Sequence, residues 1–316
     1  MLQRHRRLLP LVSLLVVWVV WGSTYLAIRV VVREMPPLAA ASLRFFVAGA
    51  VMITVALFMD RRHGRPGLRQ VLDYALVGVL LLAGGNALVM WAEKTVPSGI
   101  AALIVATVPM WLTLFDGLRP GGQPWTVRVW LGTLIGLIGV ALVVRPAHGV
   151  EAGHWPAVIG LQVGALSWTI GSLYAQAIPK RLPLLSASAV EMLAGSAVLF
   201  LESRLFGEDL GRVASASSTS WGALAYLTAF GSLVGFTAFA YCLNELPAST
   251  VGTYAYVNPV VAVTLGSLIL GEPVSAGLLS GGAFILLAVL LTTARRPARA
   301  SRSQPLVEAE EEAGCV

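Results

Sequence analysis

Two stretches of this chain, VPSGIAALIVATVP at residues 96–109 and LPASTVGTYAYVNP at residues 246–259, have the same proline spacing. In each stretch two prolines lie twelve positions apart, and the second pair follows the first by 150 positions. The first proline of each pair falls where a helix can begin, because a missing N–H costs little there. The second falls inside an apolar stretch, where proline removes a backbone hydrogen bond. The sequence therefore predicts helix kinks at Pro109 and Pro259 and a unit that occurs twice.

Three further pairs of stretches match in the same order along the two halves. Gly, Ala, Ser and Leu are common in this chain, so any single match is also compatible with coincidence of composition. Four collinear matches indicate an internal repeat. The three pairs are GSTY (22–25) with GSLY (171–174), PLAAASLRFFVAG (37–49) with PLLSASAVEMLAG (183–195), and GTLIG (132–136) with GLLSG (277–281).

The composition predicts a membrane protein. Of the 316 residues 57% are hydrophobic and only 12% are charged, whereas soluble domains carry roughly 25% charged residues. Buried helices of a large soluble protein are the alternative, but several charge-free runs reach the roughly 20 residues that a membrane crossing needs. We expect an all-α polytopic protein with ten transmembrane helices near 8–30, 37–59, 71–92, 97–117, 129–145, 155–177, 184–206, 221–243, 247–270 and 274–294.

Lys and Arg give the predicted orientation. With a cytoplasmic N-terminus, fifteen of them lie in inside segments and six in outside segments, as the positive-inside rule requires. Each copy of the repeat, 8–146 and 155–294, then holds five helices, so the copies have opposite orientations. Such inverted five-helix repeats are typical of secondary transporters. Residues 295–316 are predicted to form a disordered cytoplasmic tail.

Several classes of function have no support in the sequence. The net charge of +6 comes from short basic clusters beside apolar runs rather than from a nucleic-acid-binding stripe. Cys242 and Cys315 have no metal-ligand spacing, and we expect no metal and no cofactor. No Walker A, G-x-S-x-G or H-E-x-x-H motif is present, so we expect neither ATP-driven transport nor an enzyme.

Aromatic and amide side chains within the predicted helices are candidates for substrate binding. Aromatic faces with an occasional hydroxyl suit planar or amphipathic solutes, and amides within a membrane need hydrogen-bond partners. The alternative for the aromatic residues is a belt at the membrane interface. The candidates are Trp21, Tyr25, Asn86, Trp91, Trp168, Tyr174, Tyr241, Tyr254 and Asn258.

Two charged residues lie inside predicted spans, and each has two interpretations. Arg44 is either an anchor for an anionic substrate group or a gate, or it is a structural arginine. Glu191 lies one position beyond the repeat equivalent of Arg44. It either carries a proton, since burial favours the neutral acid, or pairs with an arginine. Both are therefore candidates for gating or charge pairing.

Small residues are concentrated in the fifth and tenth predicted helices. Such residues allow close helix contact, either within the chain or across a homodimer interface, and a homodimer is therefore possible. These residues are Gly132, Gly136, Gly139, Gly277, Gly281 and Gly282.

Nearly the whole chain resembles the drug/metabolite transporter superfamily in its ten-helix EamA-type branch. The resemblance is carried by WGSTYLAIR (21–29), LRFFVAG (43–49), MWAEKTVPSGIAALIVATVP (90–109) and NPVVAVTLGSLILGEP (258–273). It implies a bacterial inner-membrane location and a cavity lined by both halves. The first half departs from the pattern, because Gly122 stands where the second half has Glu272.

Together these observations predict a secondary transporter that exports small metabolites or drugs across a lipid bilayer by alternating access. Two alternatives stay open at this point. One is an importer or exchanger of the same fold, and the other is a membrane receptor or assembly factor that transports nothing.

Overall fold

A computed structural model describes residues 2–59, 66–118, 125–143, 155–179, 182–246 and 251–293. Within these ranges the chain is helical and contains no β-strand. The predicted tail at 295–316 and its disorder lie outside the described residues.

In the described part of the chain, ten long helices follow the predicted spans to within a few residues, apart from an N-terminal extension of the first and a later start of the ninth, at Tyr254 instead of residue 247. One short helical turn, Gly211–Ala214, lies between the seventh and the eighth. The long helices are α1 Leu2–Glu34, α2 Pro37–Met59, α3 Leu68–Ala92, α4 Ser98–Asp116, α5 Val127–Val143, α6 Trp155–Ala177, α7 Leu184–Leu205, α8 Ser218–Leu243, α9 Tyr254–Leu270 and α10 Ala276–Thr293.

Seven of these helices in the described part of the chain are long and apolar enough to cross a membrane, and α5, α9 and α10 are shorter apolar helices. Large apolar side chains point away from the bundle, with Leu57 67% exposed and Leu268 78% exposed. Apolar surface of this extent marks an interaction with something other than water. The outer surface of the bundle is therefore suited to lipid.

Helices from the two halves of the chain pack against each other. The most extensive contacts are α2 with α7 and α5 with α10, while α1 packs on α8 and α9, and α6 packs on α3 and α4. Exchanging each helix for the one five places away turns the α1 contacts into the α6 contacts. It also maps each of the two most extensive pairs onto itself.

Glycines bring α5 and α10 into backbone contact. A Cβ atom on Gly139 would lie 2.8 Å from the oxygen of Gly281, and one on Gly281 would lie 2.7 Å from the oxygen of Gly139. Gly136 packs against Met110 and Ala288 within the same chain. These small residues therefore make an internal contact, and the homodimer stays a prediction.

Helices α3 and α8 each contain a π-helical segment at equivalent positions of the repeat, Val79–Asn86 and Leu227–Phe236. A π-segment shifts the backbone hydrogen-bond pattern and often occurs at functional sites. In both segments a carbonyl oxygen accepts a hydrogen bond from a side chain of the other half. Trp21 Nε1 donates to Gly231 O at 3.2 Å, and Ser167 Oγ donates to Leu80 O at 2.7 Å.

The two predicted kink positions lie in different local structures. In α4 a turn at Ala106 and Thr107 separates two α-helical segments, and Pro109 is the second residue of the later segment. Thr107 Oγ1 donates to Ile104 O at 2.7 Å and so provides a donor at this break. In α9 the interruption precedes Tyr254, and the helix continues through Pro259. A kink at Pro259 stays a prediction.

Candidate substrate site

A central cavity lies where helices of both halves meet, with an empty volume of ≈ 720 Å³ that includes open solvent. Equivalent positions of the repeat line it, because Val108 and Asn258 both face the cavity, as do Asn86 and Phe236. Both halves therefore build one site.

One wall of the cavity is an aromatic cluster formed by α1, α6, α8 and α9. The Trp21 ring packs edge-on against Trp168 at a centroid distance of 5.6 Å and against Tyr254 at 5.5 Å. Phe239 lies behind them, 4.8 Å from Trp21 and 5.8 Å from Trp168. Aromatic pairs prefer such edge-to-face arrangements. The wall is therefore an apolar aromatic surface suited to a flat solute.

Arg44 provides a positive charge at this cavity. Its side chain is 3% exposed, Nε donates to Ser232 Oγ at 2.8 Å, and Nη1 donates to Asn86 Oδ1 at 3.4 Å. The guanidinium carbon also lies 4.7 Å from the Phe45 ring centroid. No carboxylate of the described residues lies within ion-pair distance of Arg44. Neutral groups orient this cation, but no described acidic group neutralises it.

Asn258 connects α9 to α1 at the cavity. With its amide nitrogen facing the two neighbouring carbonyl groups, Asn258 donates to Trp18 O at 3.1 Å and to Tyr254 O at 3.2 Å. The sequence predicts that Asn258 supplies a partner near Pro259. The carbonyl oxygen that this proline deprives of its donor is that of Ala255, four residues earlier. The Asn258 amide thus joins two helices and bonds a different carbonyl.

Seven of the side chains singled out from the sequence line the central cavity, and four lie elsewhere. Trp91 packs on Gly160 of α6 and is 37% exposed. Tyr174 donates a hydrogen bond to Asp73 Oδ1 at 2.8 Å. Tyr241 lines neither this cavity nor the second cavity, in which Glu191 is found. The seven that line it are Trp21, Tyr25, Arg44, Asn86, Trp168, Tyr254 and Asn258.

Sequence reasoning missed Phe236 and Phe239 of α8. Phe236 lines the central cavity, and Phe239 completes the aromatic cluster. The repeat alignment contains a signal for Phe236, because it is the equivalent of the candidate Asn86. Phe239 is the equivalent of Val89, whose place at the cavity only the structure shows. Among the described residues, no group of His, Cys, Asp and Glu side chains could hold a metal ion.

A second cavity lies between α3, α6, α7 and α8, with ≈ 660 Å³ of empty volume including open solvent. Tyr74, Leu182 and Leu243, close to helix ends, help to line it, and Glu191 contributes a carboxyl group that is 7% exposed. Phe236 lines both cavities. Aromatic side chains of α8 therefore lie between the two spaces.

Three glutamates join the two halves at the end of the bundle away from the second cavity. We call this end, which contains Glu34, Glu208 and Glu272, the clasp end. The Glu208 carboxylate, beyond α7, accepts from the backbone nitrogens of Leu38 at 3.1 Å and Ala39 at 2.8 Å. Glu34 of α1 accepts from the backbone nitrogen of Ser217, just before α8, at 2.7 Å. A carboxylate at a helix N-terminus satisfies free N–H groups and interacts favourably with the helix dipole.

Glu272 is the third of these glutamates and makes the most contacts. Its carboxylate accepts from Ser98 N at 3.0 Å, Ser98 Oγ at 2.7 Å and Gly99 N at 3.4 Å, and so caps α4. Its Oε1 also lies 3.9 Å from Nε of Arg29. Glu272 therefore ties the end of α9 to the beginning of α4 and to α1.

The repeat gives no matching carboxylates at the opposite end. By the offsets of the neighbouring matched stretches, the equivalents of Glu34, Glu208 and Glu272 are Lys180, Arg62 and Gly122. All three lie outside the described residues, but their identities alone exclude carboxylate caps at these positions. The two ends of the bundle therefore differ chemically although the helices are arranged alike.

A buried acidic side chain lies beside Glu272. Glu93 directly follows α3 and its side chain is fully buried. Arg29 Nη1 donates to the backbone oxygen of Glu93. Burial, and then the negative charge of Glu272, raise the pKa of the Glu93 carboxyl well above its ordinary value, while Arg29 acts in the opposite direction. The sequence analysis did not single out Glu93.

Comparison with known proteins agrees with this architecture. The chain is 40% identical over 293 residues to the uncharacterized inner membrane transporter YedA of Escherichia coli (strain K12), covering 92% of each chain. It is 24% identical to the uncharacterized transporter YoaV of Bacillus subtilis (strain 168), covering 90% of this chain and 96% of that one. A solved crystal structure with 22% identity matches 91% of this chain and 96% of its own, with a TM-score of 0.64, and so has the same fold.

The sequence profile of the EamA-like transporter family matches the chain twice, at residues 8–145 and 155–294. The two matched regions are the halves that build the central cavity together. With its apolar helices and its transporter relatives, the protein is a multi-pass membrane transporter, and the chain belongs to the EamA-like transporter family.

Proposed function

We propose that the protein is a secondary transporter that exports a small solute by alternating access, with ten spans in two inverted five-helix repeats. The carrying observation is the central cavity, which equivalent positions of both halves line. Alternating access requires a site that either half can close. A cavity at the interface between two similar halves meets this requirement.

The pairing of helices supports the inverted repeat. Exchange of α1–α5 with α6–α10 maps the α1–α8 contact onto the α6–α3 contact, and each of these contacts includes a π-segment at an equivalent position. The Lys and Arg distribution supports cytoplasmic termini, which places the clasp end outside. The described conformation is then closed toward the outside by three carboxylate caps.

The second cavity supports an approach from the inside. It lies away from the clasp end and is separated from the central cavity by aromatic side chains of α8, including Phe236. Such side chains change rotamer more readily than capped helix ends separate. We propose that solute enters the second cavity, passes these rings and reaches the central site, while Glu191 acts as an acidic lining residue of this route.

The central site suits a planar or amphipathic solute that carries an anionic group. Trp21 and Trp168 offer apolar faces, while Arg44 is a buried cation without a carboxylate partner among the described residues. An unneutralised buried charge is unfavourable, so an anion that reaches Arg44 relieves this cost. An uncharged solute of the same shape would lack that contribution.

Flux measurements on purified protein in liposomes test this function. We would measure release of preloaded benzoate, as a planar anion, and of benzyl alcohol, as its uncharged counterpart, and subtract the leak of protein-free liposomes. Benzoate flux above the leak is expected in the parent protein. Arg44→Gln should lower this flux at least tenfold, because hydrogen bonds to charged groups contribute about 1.5–3 kcal/mol. Thr54→Ala, on the exposed face of α2, is the control.

Three outcomes separate the possible functions. Flux that runs equally well in both directions and needs a solute on the far side identifies an exchanger. Benzoate binding without flux identifies a receptor and contradicts transport. If no anion in a wider set of aromatic and aliphatic carboxylates binds or crosses, the proposed role of Arg44 is wrong.

The inverted topology has its own test. Reporter fusions near residue 65 and near residue 210 should lie on opposite faces of the membrane, inside and outside respectively. Fusions on the same face would refute the inverted repeat and with it the assignment of the clasp end to the outside.

A further inference from the structure

The clasp end contains a buried carboxyl group without a hydrogen bond. The Glu93 side chain is 0% exposed, and neither of its carboxyl oxygens has a partner among the residues that the structure describes. An ionised carboxylate in such surroundings is strongly disfavoured, whereas the neutral acid is tolerated. The closed arrangement of helix ends thus fits protonated Glu93 better than ionised Glu93.

The Arg29 guanidinium group connects Glu93 to Glu272. Arg29 Nη1 donates to the backbone oxygen of Glu93, and Arg29 Nε lies 3.9 Å from Glu272 Oε1. The ionisable groups that interact with the Glu93 side chain are Arg29 and Tyr25 of α1 and Glu272 beyond α9. An ionised Glu93 therefore competes with Glu272 for the same arginine.

Helices α2, α4 and α6 offer Glu93 no further charge at the clasp end. Within its described residues α2 has Arg44 as its only charged side chain, and Arg44 bonds to Ser232 and Asn86. The single charged residue of α4 is Asp116, at its opposite end, and α6 has none. Lys94, the next residue, is exposed to solvent. Neutralisation of an ionised Glu93 at its buried position thus depends on Arg29 or on water.

We propose that Glu93 is a proton-binding site that keeps the clasp end closed while its carboxyl is protonated and releases it on ionisation. Ionisation requires either that Arg29 leaves Glu272 or that water reaches the carboxylate. Both changes separate the ends of α1, α3, α4 and α9. The site would make opening toward the outside depend on the external proton concentration, and it rests on the proposed alternating access.

The direction of the pH effect follows from the proton balance. The closed state holds the Glu93 proton more tightly than the open state, in which water solvates the carboxylate. The closed state therefore has its full free-energy advantage over the open state below the pKa that Glu93 has in the open state. It loses this advantage as the pH rises through the raised pKa that Glu93 has in the closed state. Alkaline external pH should open the clasp end.

Cysteine accessibility tests this site without knowledge of the solute. Val89, one turn before Glu93, lines the central cavity, so Val89→Cys reports whether an impermeant thiol reagent enters from the clasp end. Cys242 and Cys315 are replaced by alanine, and Ser215→Cys, an exposed position near the clasp end, corrects for thiolate reactivity. Labelling is measured in full-length protein in sealed liposomes at external pH values from about 5 to about 9.

With Glu93 present, the normalised labelling rate should rise roughly tenfold per pH unit until it levels off. Glu93→Gln, which resembles the protonated acid, should label slowly at every pH. Glu93→Asp retains a carboxyl group and should retain the rise. A merely structural role for Glu93 would leave the pH profile in place when the carboxyl is removed.

Two results would overturn the proposal. One is a rate that does not depend on pH in protein with Glu93, a measurement that needs no Glu93 variant to fold. The other is a Glu93→Gln protein that still shows the rise or labels rapidly at all pH values. Neither result bears on benzoate flux as evidence for transport. Absence of benzoate flux together with the expected pH profile of labelling would instead refute transport and not the role of Glu93.

Discussion

Glu272→Gln should open the clasp end. Glu272 accepts three hydrogen bonds from Ser98 and Gly99, at 2.7–3.4 Å, and pairs with Arg29 at 3.9 Å. Glutamine retains one acceptor oxygen, but its amide nitrogen faces N–H donors and its charge no longer complements the α4 dipole. Bonds to charged groups contribute about 1.5–3 kcal/mol against about 0.5–1.5 for neutral ones, and the dipole interaction adds about 0.3–1.

We therefore expect the closed state to lose roughly 2–3 kcal/mol, which corresponds to a shift of about 30- to 150-fold in its population relative to the open state. The assay is labelling of Val89→Cys from outside at acidic pH, where protonated Glu93 keeps the parent protein closed. Glu245→Gln, an exposed position near the opposite end of α8, is the matched control and should label at the parental rate.

A second reporter distinguishes opening from unfolding. Ala240 lines the second cavity, so Ala240→Cys should become less accessible from inside when the clasp end opens. Increased labelling at both reporters would indicate a loosened fold. A Glu272→Gln rate within about twofold of the parent would show that this carboxylate contributes little to closure, since twofold corresponds to about 0.4 kcal/mol.

Two predictions concern the stability of the helix contacts and are measured as thermal unfolding in detergent. Gly78→Ala should destabilise the protein by about 1–3 kcal/mol, because the added methyl group would lie 2.0 Å from a backbone oxygen of α7. Gly222→Ala is the control and should be neutral or slightly stabilising, because its methyl group would have no atom within 4 Å. Equal melting of the two variants would contradict this close approach. Ser167→Ala should cost about 1–3 kcal/mol, because the Leu80 carbonyl of the π-segment loses its donor. Thr54→Ala, which removes a bond within an exposed helix turn, should cost less, and an equal cost would argue against a role for the π-segment bond.

Local properties of the chain were predictable from the sequence. Helix number and approximate bounds follow from the length of apolar runs, and the break in α4 follows from Pro109. The candidates Trp21, Trp168 and Tyr254 were found because aromatic residues within spans are few. Trp91 and Tyr241 share these properties, and only the rotation of each helix decides that the first contacts Gly160 and the second lines neither cavity.

The sequence alone determined that the chain is helical, suited to lipid and internally repeated, because apolar length and repeat spacing need no tertiary contact. The tertiary structure alone decided how the halves are closed. Glu272 is 174 positions from Ser98, and an acidic residue in a loop gives no local signal of the helix that it caps. Glu93 likewise resembles any residue at a helix end in the sequence. Its fully buried carboxyl group results from the packing of helices from both halves, which excludes water from a charge-bearing group.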